Sequence, residues 1–168
     1  MTFVINTIEL SRSPGAERDF QIDEPAPADF QVGIMQVPEG SPIKVSGLLE
    51  SVIEGIYVSG EITADFVGDC SRCLSEISFT AHESFAELYV YEQQEDELAL
   101  EGESLDLEPV IRDTLLAGIP INPLCTPDCL GLCVECGANL NDDPQHDHAA
   151  RIDPRWSGLE SLGGSDES

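Results

Sequence analysis

Residues 56–66 read IYVSGEITADF. Ile56, Val58, Ile62, Ala64 and Phe66 share one side of a period-two pattern and polar residues take the other, which predicts a long strand buried on one face. Working outward, Pro42 to Leu49 alternates in the same way through Ile43, Val45 and Leu49, and Gly55 breaks the chain between the two runs. On the other flank, Leu74 to Tyr91 sets Ile77, Phe79, Ala81, Phe85, Tyr89 and Tyr91 on one parity. Three successive strands joined by short connections predict an antiparallel β meander.

The period changes in residues 105–120, LDLEPVIRDTLLAGIP, where Leu107, Val110, Ile111, Thr114 and Leu115 recur at helical spacing. Asp106 is placed to cap this helix, and Pro109 falls in its first turn, where the missing N–H costs little. Gly118 and Pro120 end it. One apolar helix face lying on one sheet face makes α+β the expected fold class. Before the helix, Glu92 to Glu103 is acidic and poor in apolar residues, and is expected to be a solvated loop. At the start of the chain Phe3 to Leu10 is β-prone, whereas Ser11 to Asp29 is rich in Pro, Ala and charge and receives no firm assignment.

The resulting division is an N-terminal strand and extended segment (1–41), an α+β core (42–124), a Cys/His-rich segment with a short terminal helix (125–162) and a disordered tail (163–168). In the third part Asp153 caps, Pro154 opens the helix, and Trp156, Leu159 and Leu162 are its docking residues. With 168 residues the chain is long enough to bury a core without staples.

Seven Lys and Arg stand against 33 Asp and Glu, a formal charge of −26. Nucleic-acid affinity rests largely on basic side chains neutralising phosphates, so tight binding of RNA or DNA by this chain alone is disfavoured and a basic protein is the expected partner. Solubility or adaptation to salt accounts for such a charge equally well. The first residues, MTFVINTIELSRSPG, lack a basic region followed by an apolar run, and no segment approaches the length of a spanning helix, so a cytoplasmic protein is expected.

Six cysteines in that compartment point to metal or thiol chemistry rather than disulfides. They stand as Cys70-x2-Cys73 and Cys125-x3-Cys129-x3-Cys133-x2-Cys136, followed by His146-x-His148. Eight ligands suit two tetrahedral zinc sites, each closed by four protein ligands and therefore structural. Gly137, directly after Cys136, suits the tight turn of a zinc knuckle. The favoured partition sets Cys133, Cys136, His146 and His148 on one ion and Cys70, Cys73, Cys125 and Cys129 on the other. A second partition joins Cys125, Cys129, Cys133 and Cys136, leaving Cys70 and Cys73 free or paired with the histidines; spacing is compatible with both.

The rival chemistry is a thiol-based redox enzyme or sensor at Cys70 and Cys73, with Arg72 lowering a thiol pKa. Against it, such motifs open a helix after a strand, whereas this one links two predicted strands. There is no P-loop, no GxGxxG and no G-x-S-x-G, and His82, within a predicted strand, reads as a surface residue rather than a base. No catalytic residue is assigned, and a non-enzymatic protein is expected.

The order of these motifs, CSRCL at a strand connection, an acidic loop, LDLEPVIRDTLLAGIPINPLC, CTPDCLGLCVECGANLN and IDPRWSGLESL, resembles the YceD family of large ribosomal RNA subunit accumulation proteins. The likeness runs from about Pro42 to Leu162, and the string from Cys125 to Asn141 is its most specific part. It implies a bacterial or plastid factor needed for normal accumulation of large-subunit ribosomal RNA. Many relatives carry Cys-x-Cys where this chain has His146-Asp147-His148, an exchange of one zinc-ligand type for another. Joined to the charge, the resemblance implies a factor in large-subunit assembly whose acidic surface engages a basic ribosomal protein or another assembly factor.

Overall fold

The computed structural model describes residues 3–10, 13–32, 34–92 and 97–148. Its centre is the meander expected from the period-two runs: β5 (Pro42–Ser51), β6 (Gly55–Asp69) and β7 (Glu76–Val90), with β6 antiparallel to both neighbours. β6 and β7 pair along their whole fifteen-residue lengths, from Gly55 opposite Val90 to Asp69 opposite Glu76. Ile43, Val45, Leu49, Ile56, Val58, Ile62, Ala64 and Phe66 are all buried on one face, as their alternation requires. From the third run, Ala81, Phe85 and Tyr89 join them, Ile77 and Phe79 are half-buried, and Tyr91 lies exposed just past the strand.

The N-terminal part belongs to the same sheet. β2 (Glu17–Pro25) pairs antiparallel with β5, and β3 (Gln31–Val32) and β4 (Met35–Gln36) form a small hairpin whose second strand pairs with β6. β1 (Val4–Asn6) pairs with β8 (Ser104–Asp106), bringing Phe3 and Ile5 into the core beside Leu105 and Leu107. Glu92 to Glu103 is not solvated throughout: Leu98 and Leu100 pack against the core, and the Val90 N–H donates to the Leu98 carbonyl at 2.8 Å.

The helix α1 (Glu108–Gly118) packs on β7 and buries Val110, Ile111 and Leu115. Asp106 acts one place outside the expected cap. Leu107 is the cap residue, while the Asp106 carboxylate accepts the Glu108 N–H at 2.9 Å and so still serves the helix start. The Tyr89 hydroxyl donates to the Asp106 carbonyl at 2.7 Å, fixing the helix entry to the sheet, and burial raises its pKa. With this one helix among the described residues against eight strands, the fold is mostly β, which corrects the α+β expectation. Sequence periodicity found the helix but not the strands in residues 17–36 that outweigh it.

In the row Phe20–Gly47–Gly60–Phe85, two glycines face one another across β5 and β6. A Cβ on Gly47 would collide with the Ser59 carbonyl, so the close approach of these strands requires a residue without a side chain. The expected terminal helix around Trp156, Leu159 and Leu162, and the expected disordered tail, lie outside the described residues.

Candidate metal centres

The β6–β7 connection carries Cys70 and Cys73, and residues 123–132 lie against it. The Ser71 N–H donates to the Pro123 carbonyl at 2.9 Å and the Leu132 N–H to the Arg72 carbonyl at 3.1 Å. These bonds draw Cys125 and Cys129 up to the first knuckle. Cys70 Sγ is 3.8 Å from Cys129 Sγ, and Cys73 Sγ is 3.6 Å from Cys125 Sγ. A tetrahedron with Zn–S bonds near 2.3 Å has S···S edges of about 3.8 Å, whereas a disulfide brings sulfurs to about 2.0 Å. The ligand atoms of Cys70, Cys73, Cys125 and Cys129 all lie within 4.8 Å of one another, and all but Cys125 are buried.

Cys133, Cys136, His146 and His148 form a second group of the same compactness. Cys136 Sγ is 3.1 Å from His146 Nε2 and 3.3 Å from His148 Nε2, and the two Nε2 atoms are 2.9 Å apart. The Nδ1 of His148 faces the Glu135 carboxylate at 3.6 Å, an arrangement that orients a metal-binding imidazole through its other nitrogen. Of the two partitions compatible with the spacing, the structure therefore juxtaposes the first. His82 is not brought near either group; it is exposed on β7, with Nδ1 at 3.2 Å from the Thr63 hydroxyl.

The donor sets fit a cation of zinc's type. The Cys73 N–H, pointing at the Cys70 sulfur, brings that thiol down to about 6, while Cys125, crowded by the sulfurs of Cys129 and Cys73, is pushed up to about 12. A hydrogen bond with the Ser75 hydroxyl, 3.3 Å from Cys73 Sγ, holds Cys73 below the ordinary thiol value. In the second group the Cys136 N–H does the same for Cys133. Backbone groups thus favour thiolates, yet four sulfurs this close resist full ionisation until a cation neutralises them. The side chain of Arg72, the candidate thiol activator, instead donates from Nη1 to the Cys129 carbonyl at 2.8 Å and braces the group.

Both knuckles close alike. The Leu74 N–H donates to the Cys70 carbonyl at 3.0 Å and the Gly137 N–H to the Cys133 carbonyl at 2.9 Å. The residue after the second cysteine is left-handed in each, Leu74 at φ 57° and Gly137 at φ 75°. Leu74 is 64% exposed, so its side chain contributes little burial against the cost of that backbone. Leu74→Gly is expected to stabilise the protein by up to about 1 kcal/mol, and Gly137→Ala to destabilise it by about the same. Urea unfolding of both variants checks the pair; destabilisation by Leu74→Gly would contradict the reading.

Sequence reasoning missed Ser75, Glu135 and Asn141, none of which is a ligand type in a ligand spacing. Asn141 donates from Nδ2 to Cys129 Sγ at 3.4 Å, and its Oδ1 accepts the Leu130 N–H at 2.8 Å. Its one sequence signal was its place at the end of the GANLN run after Cys136.

These features define a β-rich protein with two compact Cys/His groups able to hold metal ions. The family described as Large ribosomal RNA subunit accumulation protein YceD matches residues 58–163, and the chain belongs to it. An uncharacterized protein of Mycobacterium tuberculosis is 35% identical over 168 residues, covering 95% of this chain and 81% of that protein. The uncharacterized protein YlbN of Bacillus subtilis is 23% identical over 128 residues, 73% of this chain and 74% of its own length. A chloroplastic protein of Zea mays described as Large ribosomal RNA subunit accumulation protein YCED homolog 1 is 46% identical over 37 residues, 22% of this chain and 13% of that protein. No solved structure matches the chain. No helix among the described residues is long and apolar enough to cross a membrane.

Proposed function

We propose that this protein is a non-enzymatic cytoplasmic factor that supports accumulation of large-subunit ribosomal RNA by binding a basic ribosomal protein or assembly factor. In this reading two zinc ions are structural, one held by Cys70, Cys73, Cys125 and Cys129 and the other by Cys133, Cys136, His146 and His148. The family match supports the role in ribosomal RNA accumulation. The observation that carries the choice of partner is the charge: −26 overall, with Lys44 the sole Lys or Arg on the exposed side of β2, β5, β6 and β7. Glu17, Asp19, Asp23, Glu61, Asp65 and Glu76 are exposed on that side. Such a face repels phosphates and attracts basic protein surfaces.

The test is a binding titration of zinc-loaded protein at physiological salt, with basic large-subunit ribosomal proteins in one arm and large-subunit ribosomal RNA fragments in the other. Binding is expected in the protein arm, and it should weaken as salt shortens the Debye length from about 10 Å at 0.1 M to about 3 Å at 1 M. RNA alone should bind weakly. Tight, sequence-selective RNA binding without a protein partner would overturn the proposal.

A further inference from the structure

The two metal-binding groups are unequal in their surroundings. In the first, Cys70, Cys73 and Cys129 are buried, packed with Ile77, Leu124 and Leu132. Two outer hydrogen bonds reach this group: Arg72, within the Cys70–Cys73 knuckle, braces the Cys129 carbonyl, and Asn141, in the loop between Cys136 and His146, donates an N–H to the Cys129 sulfur. In the second, Cys136 is exposed, and Cys133, His146 and His148 are only half-buried. Val134, at the tip of that knuckle, is 100% exposed. The outer contact of His148 is Glu135, itself part of the same short loop.

A chelator or competing protein removes a metal ion by approaching it and replacing ligands one at a time. Burial blocks that approach, and hydrogen bonds to sulfur and to the ligand backbone hold each ligand in place. On both counts the second group is the accessible one. Its ligands all come from residues 133–148, whereas the first joins the β6–β7 turn to residues 125–129, so opening the first disturbs the packing around the sheet end, while opening the second loosens the 133–148 loop, which touches the first group's segment through Asn139, Leu140 and Asn141.

We propose that Cys133, Cys136, His146 and His148 form an exchange site whose occupancy follows free zinc, while Cys70, Cys73, Cys125 and Cys129 retain their ion, with Asn141 a positioning residue for that retention. This inference rests on the reading that both groups hold zinc. The side chain of Asn141 separates retention from ligation, because it touches the Cys129 sulfur without belonging to the ligand set, as the Ser75 hydroxyl does at Cys73.

The experiment challenges the zinc-loaded full chain with excess 4-(2-pyridylazo)resorcinol, follows zinc release by colour, and maps cysteines alkylated by iodoacetamide at successive times. Release is expected in two phases at least tenfold apart in rate, with Cys133 and Cys136 modified in the fast phase and Cys70, Cys73 and Cys129 only in the slow one. Asn141→Asp keeps an acceptor for the Leu130 N–H but loses the Nδ2 donor to the Cys129 sulfur and to Asn139 Oδ1. It should speed the slow phase by about tenfold, the lower end of the effect of such outer contacts, and leave the fast phase alone. Asn139→Ala, which removes only the second of these Nδ2 bonds, should leave the slow phase unchanged. Cys136→Ser should hold one zinc per chain and lack the fast phase. A single phase, fast modification of Cys70 or Cys73, or an unchanged slow phase in folded Asn141→Asp would overturn the proposal. Protein that holds no zinc at all overturns the metal reading beneath it; protein that holds two ions and loses both together overturns only the order.

Discussion

Cys70→Ser is expected to lower the zinc content of the purified protein from two ions per chain to one and its melting temperature by on the order of 10 °C. Cys70 directly follows β6, is fully buried, and faces Cys129 across 3.8 Å, so the loss falls where residues 123–132 are tied to the sheet. The remaining cysteines cannot replace it without moving the β6–β7 turn. Strand content should persist, because the meander is held by its own apolar face. Elemental analysis, together with circular dichroism on heating, checks both parts. Two retained ions would show that Cys70 is no ligand, and near-zero zinc in the reduced native protein would sink the metal reading entirely.

Phe66→Ala is expected to cost about 3–5 kcal/mol, the range for removing a buried aromatic ring. Phe66 is 0% exposed and stacks on Phe79, its partner across β6 and β7, with ring centroids 5.7 Å apart, and the two strands are paired along their whole lengths. Its effect should separate from that of Cys70→Ser in one respect: the folded fraction keeps its full zinc content. A denaturant titration gives the stability, and metal analysis of the folded protein tests the separation. A change below about 1 kcal/mol would mean that the site collapses around the missing ring, contrary to the packing described.

The central meander was legible because β5 and β6 bury one face and leave the other wet, which writes period two directly into residues 43–66. β2 was not legible. Its inward residues are Arg18, Phe20, Ile22 and Glu24, all half-buried, so an edge strand that shields the core with charged stems reads as a polar passage. β3 and β4 have two residues each and carry no period at all. Leu98 and Leu100 were hidden by the acidic residues around them, although their burial is decided by the parallel bridge between Val90 and Ala99.

At the candidate centres the ligand types and their spacing were visible, but the partition was not, since either division satisfies four-coordinate zinc. What separates the two is tertiary. The Ser71–Pro123 and Leu132–Arg72 backbone bonds carry Cys125 and Cys129 toward Cys70 and Cys73, and the turn through Asp143 to His146 carries the histidines back to Cys136. Asn141 had only its place at the end of the GANLN run to mark it, which does not show its role, because that role depends on facing a sulfur twelve residues earlier.

The most direct test of the paired centres is zinc K-edge X-ray absorption on the double variant Cys70→Ser, Cys73→Ser, loaded with zinc and freed of excess metal. The paired arrangement predicts one remaining ion bound by Cys133, Cys136, His146 and His148, with two sulfurs at about 2.3 Å and two nitrogens at about 2.0 Å. A remaining ion surrounded by four sulfurs would assign Cys125, Cys129, Cys133 and Cys136 to one centre and contradict the account.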